Sequence, residues 1–126
     1  VFFALGIMNE ELTDAKFSFT LEFAEAKDQY NNGIDADEKI LSWFETPLNE
    51  KFLKNNELSI KPFEVKSKEK KVVPIFLQIG DTMNVDGDKT QKGTYRIRLV
   101  PKMERTPDSG SYIEYSSKKQ LNIQVS

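Results

Sequence analysis

The chain has 126 residues, a formal net charge of -2, 38% hydrophobic residues and 30% charged residues. It contains neither histidine nor cysteine, which excludes Ser-His-Asp triads, histidine general bases, His-ligated zinc, thiol nucleophiles, iron–sulfur clusters and disulfides. The length is that of one domain, 1–126, and the nine Phe supply a core that needs no metal or disulfide.

Val1 to Met8 reads as a short buried strand. The run Val1-Phe2-Phe3-Ala4-Leu5, continued by Gly6-Ile7-Met8, falls far short of the roughly 20 apolar residues of a membrane span. It begins at Val, as a trimmed chain would, so an upstream signal peptide or lipid-anchored residue is compatible with it. Asn9 to Asp14 is a polar turn. Phe17, Phe19, Leu21 and Phe23 then alternate with Ser18, Thr20 and Glu22, the period-two pattern of a strand with one face in the core. The pattern is lost from Ala24 to Asn32, and Asn31-Asn32-Gly33 signals a turn.

Residues 35–55 read as helical. Asp35 precedes Glu38 at capping-box spacing, and Ile40, Leu41, Phe44, Leu48 and Phe52 recur every three or four residues. Thr46 would cap a second short helix starting at Pro47, ended by Asn55-Asn56. A strand over Ile40–Phe44 followed by one helical turn is the rival reading.

Strands return with Leu58 and Ile60, then Phe63 and Val65 beyond Pro62, which marks an edge or a break. A charged turn follows at Ser67 to Lys71. Val72 to Ile79 is a strong strand in which Pro74 again suggests an edge or a bulge. Gly80 to Lys92 is a polar loop around Asp86-Gly87. Tyr95, Ile97 and Leu99 alternate with Arg96 and Arg98, and Pro101 ends that strand. After the loop Thr106 to Gly110, Tyr112–Tyr115 is a strand candidate. The last strand alternates Leu121, Ile123 and Val125 with Asn122 and Gln124. Seven or eight short strands without βαβ alternation predict an all-β, antiparallel β-sandwich.

The closing segment reads Gly93-Thr94-Tyr95-Arg96-Ile97-Arg98-Leu99, a polar loop, then Leu121-Asn122-Ile123-Gln124-Val125. It resembles the last hairpin of immunoglobulin-like and related β-sandwich modules of bacterial envelope proteins, covering about 34 of the 126 residues. The resemblance implies an immunoglobulin-like sandwich, to which the spacing described above adds a short helical insertion around 35–55. The Cys…Trp…Cys framework of antibody domains is missing. Size and element order are also similar to the outer-membrane lipoprotein family of type VI secretion systems, although the lipidated Cys of that family is not in this chain.

Charge is uneven along the chain. Residues 1–63 carry 6 Lys and 12 Asp and Glu, whereas residues 64–126 carry 12 Lys and Arg and 8 Asp and Glu. A dipolar surface would steer a charged partner. Pairing of strands distant in sequence would instead intermix the charges.

Three polar clusters are weighed for chemistry. Asp81 to Asp88 could offer oxygen ligands to calcium, but with Gly87 at the sixth position of an EF-hand loop, Thr82 and Gly93 fall at its ligating ends. A solvated turn explains the loop better. Asp35, Asp37 and Glu38 are better read as acids at a helix start than as a paired-carboxylate hydrolase. Lys66, Lys68, Lys70 and Lys71, with Arg96 and Arg98, do not make a nucleic-acid site on a chain of net charge -2. Surface lysines that protect an edge strand explain the run.

Phe17, Phe19, Phe23, Phe44, Phe52, Phe63 and Phe76 read as core. Trp43 and Tyr30 lie beside the apolar pattern, among polar residues, and suit interface or sugar-stacking anchors, or partial burial against the sandwich. The reading is a non-enzymatic protein-interaction or assembly module without metal or cofactor, expected in an extracytoplasmic, secretion-type complex. Its binding residues would be Trp43, Tyr30, Phe44, Arg96 and Arg98, with sheet edges near Pro62 and Pro74 as an alternative. The alternative function is a carbohydrate-binding sandwich.

Overall fold

The computed structural model describes residues 2–46, 51–54 and 57–126. Its strands are β1 (Phe2–Met8), β2 (Ala15–Lys27), β3 (Phe44–Glu45), β4 (Lys51–Lys54), β5 (Glu57–Ile60), β6 (Phe63–Val65), β7 (Lys70–Leu77), β8 (Gly93–Glu104), β9 (Tyr112–Glu114) and β10 (Lys119–Val125). A 3-10 helix, Glu38–Trp43, precedes β3. All pairings are antiparallel, in two sheets. The small sheet has the order β1-β7-β3. The large one has the order β10-β8-β2-β5-β4, with β6 added to the other end of β2 and β9 to that of β8.

The alternating aromatic run explains the centre of the molecule. Phe17, Phe19 and Leu21 of β2 are buried beside Tyr95, Ile97 and Leu99 of β8. They meet Ile7, Val73, Ile75 and Leu77 of the small sheet in one apolar cluster. This is the packing expected of a β-sandwich, in which inward faces supply the core.

β2 does not stop at Phe23. A bulge between Phe23 and Glu25 shifts the phase of the strand by one residue, so that pairing with β8 continues to Lys27. The extra residue carries Ala26 to the inner face opposite Tyr95. The apparent loss of pattern at Ala24 is this bulge.

Among the described residues, the expected helical insertion over 35–55 is reduced to the six-residue 3-10 helix. Its cap is Asp37 rather than Asp35: the Asp37 carboxylate accepts from the Lys39 N–H at 2.9 Å. Phe44 has already returned to extended backbone in β3, and residues 51–54 form strand β4 against β5. Ile40, Leu41 and Phe44 do share the core, but they reach it from a turn and a strand, so helical spacing arose without a helix. Pro47, Leu48, Asn55 and Asn56 lie outside the described residues. The second short helix expected from Pro47 therefore lies outside them too; Thr46 Oγ1 donates to the Pro74 carbonyl at 3.0 Å.

The two prolines have different roles. Pro62 separates β5 from β6, both partners of β2. Pro74 lies inside β7, the middle strand of the small sheet. Its carbonyl points toward β3, which pairs only with Phe76 and Leu77, so the missing N–H falls where that ladder has ended.

Two loops close one end of the sandwich. Asn9 is fully buried, and its Nδ2 donates to the carbonyls of Val65 at 2.8 Å and Thr13 at 3.1 Å. Lys68 Nζ donates to the Glu10 carbonyl, and the Ser67 N–H to Asp14. The β1–β2 and β6–β7 turns are thereby latched together.

Candidate functional site

The expected binding residues do not form one site. Trp43 is only 4% exposed and packs edge-on against Tyr95, ring centroids 5.5 Å apart at 68°. Phe44 is buried beside it in sequence. Both are core residues, drawn in because the 3-10 turn lies against β2, β4 and β5. Tyr30 is 75% exposed, at a turn held by Asp28, whose carboxylate accepts from the N–H groups of Tyr30 and Asn32. With Trp43 in the core, Tyr30 has no stacking partner in it.

Arg96 and Arg98 are exposed on the outer face of the large sheet. Arg96 pairs with Glu25, and Arg98 lies in register with Glu22. Lys118 approaches Glu22 at 3.8 Å and Glu114 at 3.7 Å. The acidic first half and basic second half of the chain therefore alternate on this face.

The carboxylate loops are occupied by their own backbone. Asp37 also accepts from the Val85 N–H at 2.9 Å, docking the Asp81–Asp88 loop on the 3-10 helix. Asn84 and Asp88 exchange two hydrogen bonds, at 2.6 and 3.0 Å. The Met83 N–H closes the turn on the Asp88 carbonyl. Among the described residues, no three acidic side chains come together in a metal-holding cluster.

The surface that stands out is β1, whose sequence suggested a short buried strand. It is an edge strand, paired with β7 alone. Pro74 stands opposite Ala4 with its carbonyl turned to β3, so Ala4 and Pro74 are a non-hydrogen-bonded pair. By alternation the N–H and C=O groups of Ala4, Gly6 and Met8 point away from β7. The Tyr115 hydroxyl confirms this polarity by donating to the Met8 carbonyl from the far side. Tyr115 also sets its ring edge-on to Phe17, 4.9 Å between centroids, and so ties the end of β1 to the large sheet. Around that tie, along the second half of β1, runs an open groove lined by Leu5, Met8, Glu10, Pro101, Tyr115 and Lys119.

The other sheet edges are protected and β1 is not. Strands β3, β6 and β9 are two or three residues long. The sequence of β4 begins and ends with lysine, and β10 carries Lys119, Gln120, Asn122 and Gln124. Such shortness and polarity discourage edge-to-edge pairing. β1 runs for seven residues, FFALGIM, with no charge and no proline. On its outer side the small sheet also exposes Met8 (40%), Val72 (56%) and Phe76 (48%). Phe76, expected in the core, belongs to this outer face because it shares the parity of Val72 and Pro74 on β7. The signal for this surface was the alternation of Ala4, Gly6 and Met8 with Leu5 and Ile7, hidden by the uniformly apolar run.

No protein-family model, curated protein or solved structure matches this chain.

Proposed function

We propose that this chain is a non-enzymatic protein-interaction or assembly module of an extracytoplasmic, secretion-type complex. One observation carries the reading: a seven-residue uncharged edge strand adjoins exposed Met8, Val72 and Phe76 on the same sheet. Monomeric proteins ordinarily blunt such edges, and an unblunted one beside apolar surface is the usual basis of partner docking. The absence of catalysis is inferred from a sequence without His or Cys, and from an Asp37 carboxylate already committed to capping.

The immunoglobulin-like kinship and the envelope placement rest on the closing hairpin. Gly93 opens β8, Tyr95 is fully buried in the core, and β10 pairs along β8 from Leu99 to Gly93. That arrangement supports the resemblance, and with it an assembly role outside the cytoplasm. The test is affinity capture by the tagged domain from lysate of its native source, read by mass spectrometry. A specific stoichiometric partner is expected. A folded domain that captures nothing would remove the reading.

A further inference from the structure

We propose that β1 accepts an extended, acid-bearing segment of a partner protein as a fourth strand of the small sheet, paired to the backbone of Ala4 and Gly6 and held by Lys70 and Lys119. The inference rests on the assembly reading above and specifies the partner's chemistry. Strand addition needs a row of outward N–H and C=O groups with room beside it. Ala4 and Gly6 supply those groups, and the Tyr115 contact at Met8 marks where the open stretch ends.

Charge sets the class of occupant. The Lys70 stem crosses directly over Gly6, where a Cβ would come within 2.6 Å of Lys70 Cε and 3.2 Å of Nζ. This places an ammonium group on the outer side of the open edge. Lys119 lines the groove on the inner side, and the acid that also lines it, Glu10, sits at its Tyr115 end, past Met8 where the open stretch stops. Neither lysine is ion-paired with another described residue. Successive residues of an added strand point to opposite faces, so adjacent carboxylates on the partner meet one lysine each. Elsewhere the partner strand is apolar. On the outer side, Lys70 covers Gly6, and an apolar residue of the added strand meets the exposed Met8 and Val72. In the groove, apolar residues meet Leu5 and Pro101. A second copy of this chain is the poorer occupant: its β1 offers no carboxylate, and a twofold pair sets two Lys70 side chains on one face.

The test is selection of random nonapeptides displayed on phage against the wild-type protein, followed by titration of the selected peptides. Ala4→Pro removes the outward N–H of residue 4 and leaves the β7 ladder intact, a position where an edge strand tolerates proline. The pair K70E and K119E reverses charge on surface side chains and needs no backbone change. Selected peptides are expected to alternate apolar residues with at least one Asp or Glu. They should slow amide exchange at Ala4 and Gly6, and bind both variants at least fivefold more weakly. Equal binding to Ala4→Pro, enrichment of basic peptides, or no enrichment at all would overturn the proposal. So would a wild-type dimer abolished by Ala4→Pro, which would identify a second copy as the occupant. A native partner captured equally by Ala4→Pro removes the edge and leaves the assembly reading standing.

Discussion

Glu25 and Arg96 form an ion pair across the outer face of the large sheet because one residue, Ala24, is looped out of β2 just before Glu25. Without that bulge, Glu25 would take the inward phase of Phe17, Phe19, Leu21 and Phe23, and its carboxylate would enter the core. The pair itself is about two-fifths exposed on each side, 45% and 39%, so water and salt screen it. A double-mutant cycle of Glu25→Ala and Arg96→Ala is expected to give a coupling of about 0.2–1 kcal/mol, falling in 1 M salt. A salt-insensitive coupling of several kcal/mol would contradict the exposed geometry.

Trp43 is part of the core and its loss should be felt as stability. Trp43→Ala removes the ring that packs on Tyr95 and is expected to cost about 3–5 kcal/mol in denaturant unfolding. The intact protein should show blue-shifted tryptophan emission that iodide quenches poorly. Oligosaccharides should leave that emission unchanged. A small stability loss with strong iodide quenching would place Trp43 at the surface after all.

Gly93 and Gly33 should respond oppositely to alanine. A Cβ on Gly93 would collide with the Lys27 carbonyl and come within 2.8 Å of Ile34 Cδ1. Because the carbonyl is backbone, little can yield, and Gly93→Ala is expected to cost at least the 1–3 kcal/mol typical of overpacking. Gly33 has nothing within 4 Å of its Cβ position, so Gly33→Ala should be near neutral. Comparable midpoints for the two variants in urea would refute the close approach of β8 to Lys27.

Alkaline pH should destabilise the fold through its tyrosines. Burial raises the Tyr95 phenol above its ordinary value of 10.0, against the opposing hydrogen bond to the Gln91 carbonyl. Burial raises Tyr112 and Tyr115 in the same direction. A raised pKa means that the folded state holds its proton where the unfolded state has released it. The stabilisation is then complete below about pH 10 and is lost as pH rises through the folded value. Melting temperature should stay level from pH 7 to 9 and fall above that. Tyr95→Phe, less stable at neutral pH for want of the Gln91 bond, should close the gap on the wild type as pH rises. Parallel melting curves for the two proteins would exclude Tyr95 as the group responsible.

Much of the architecture was legible in the sequence because burial on one face of a strand writes itself as period two. The Phe17–Phe23 run, the Tyr95–Leu99 run and the Leu121–Val125 run each became a strand with the predicted side inward. The candidate site was much less legible. Trp43 stood among polar residues and looked exposed, yet the turn that carries it is set down on the core. Asn9 looked like one more turn residue, yet it is the buried pin between two loops.

Sequence alone therefore determined the all-β class, the run of short strands and the chemistry that His- and Cys-free composition forbids. Those follow from local periodicity and from which functional groups exist at all. Tertiary structure decided the rest: the phase shift at Ala24, the conversion of 44–54 from expected helix to strands in its described parts, and the exposure of β1. A strand's own sequence states which residues are apolar. Only its neighbours decide which side of its backbone is left without a partner.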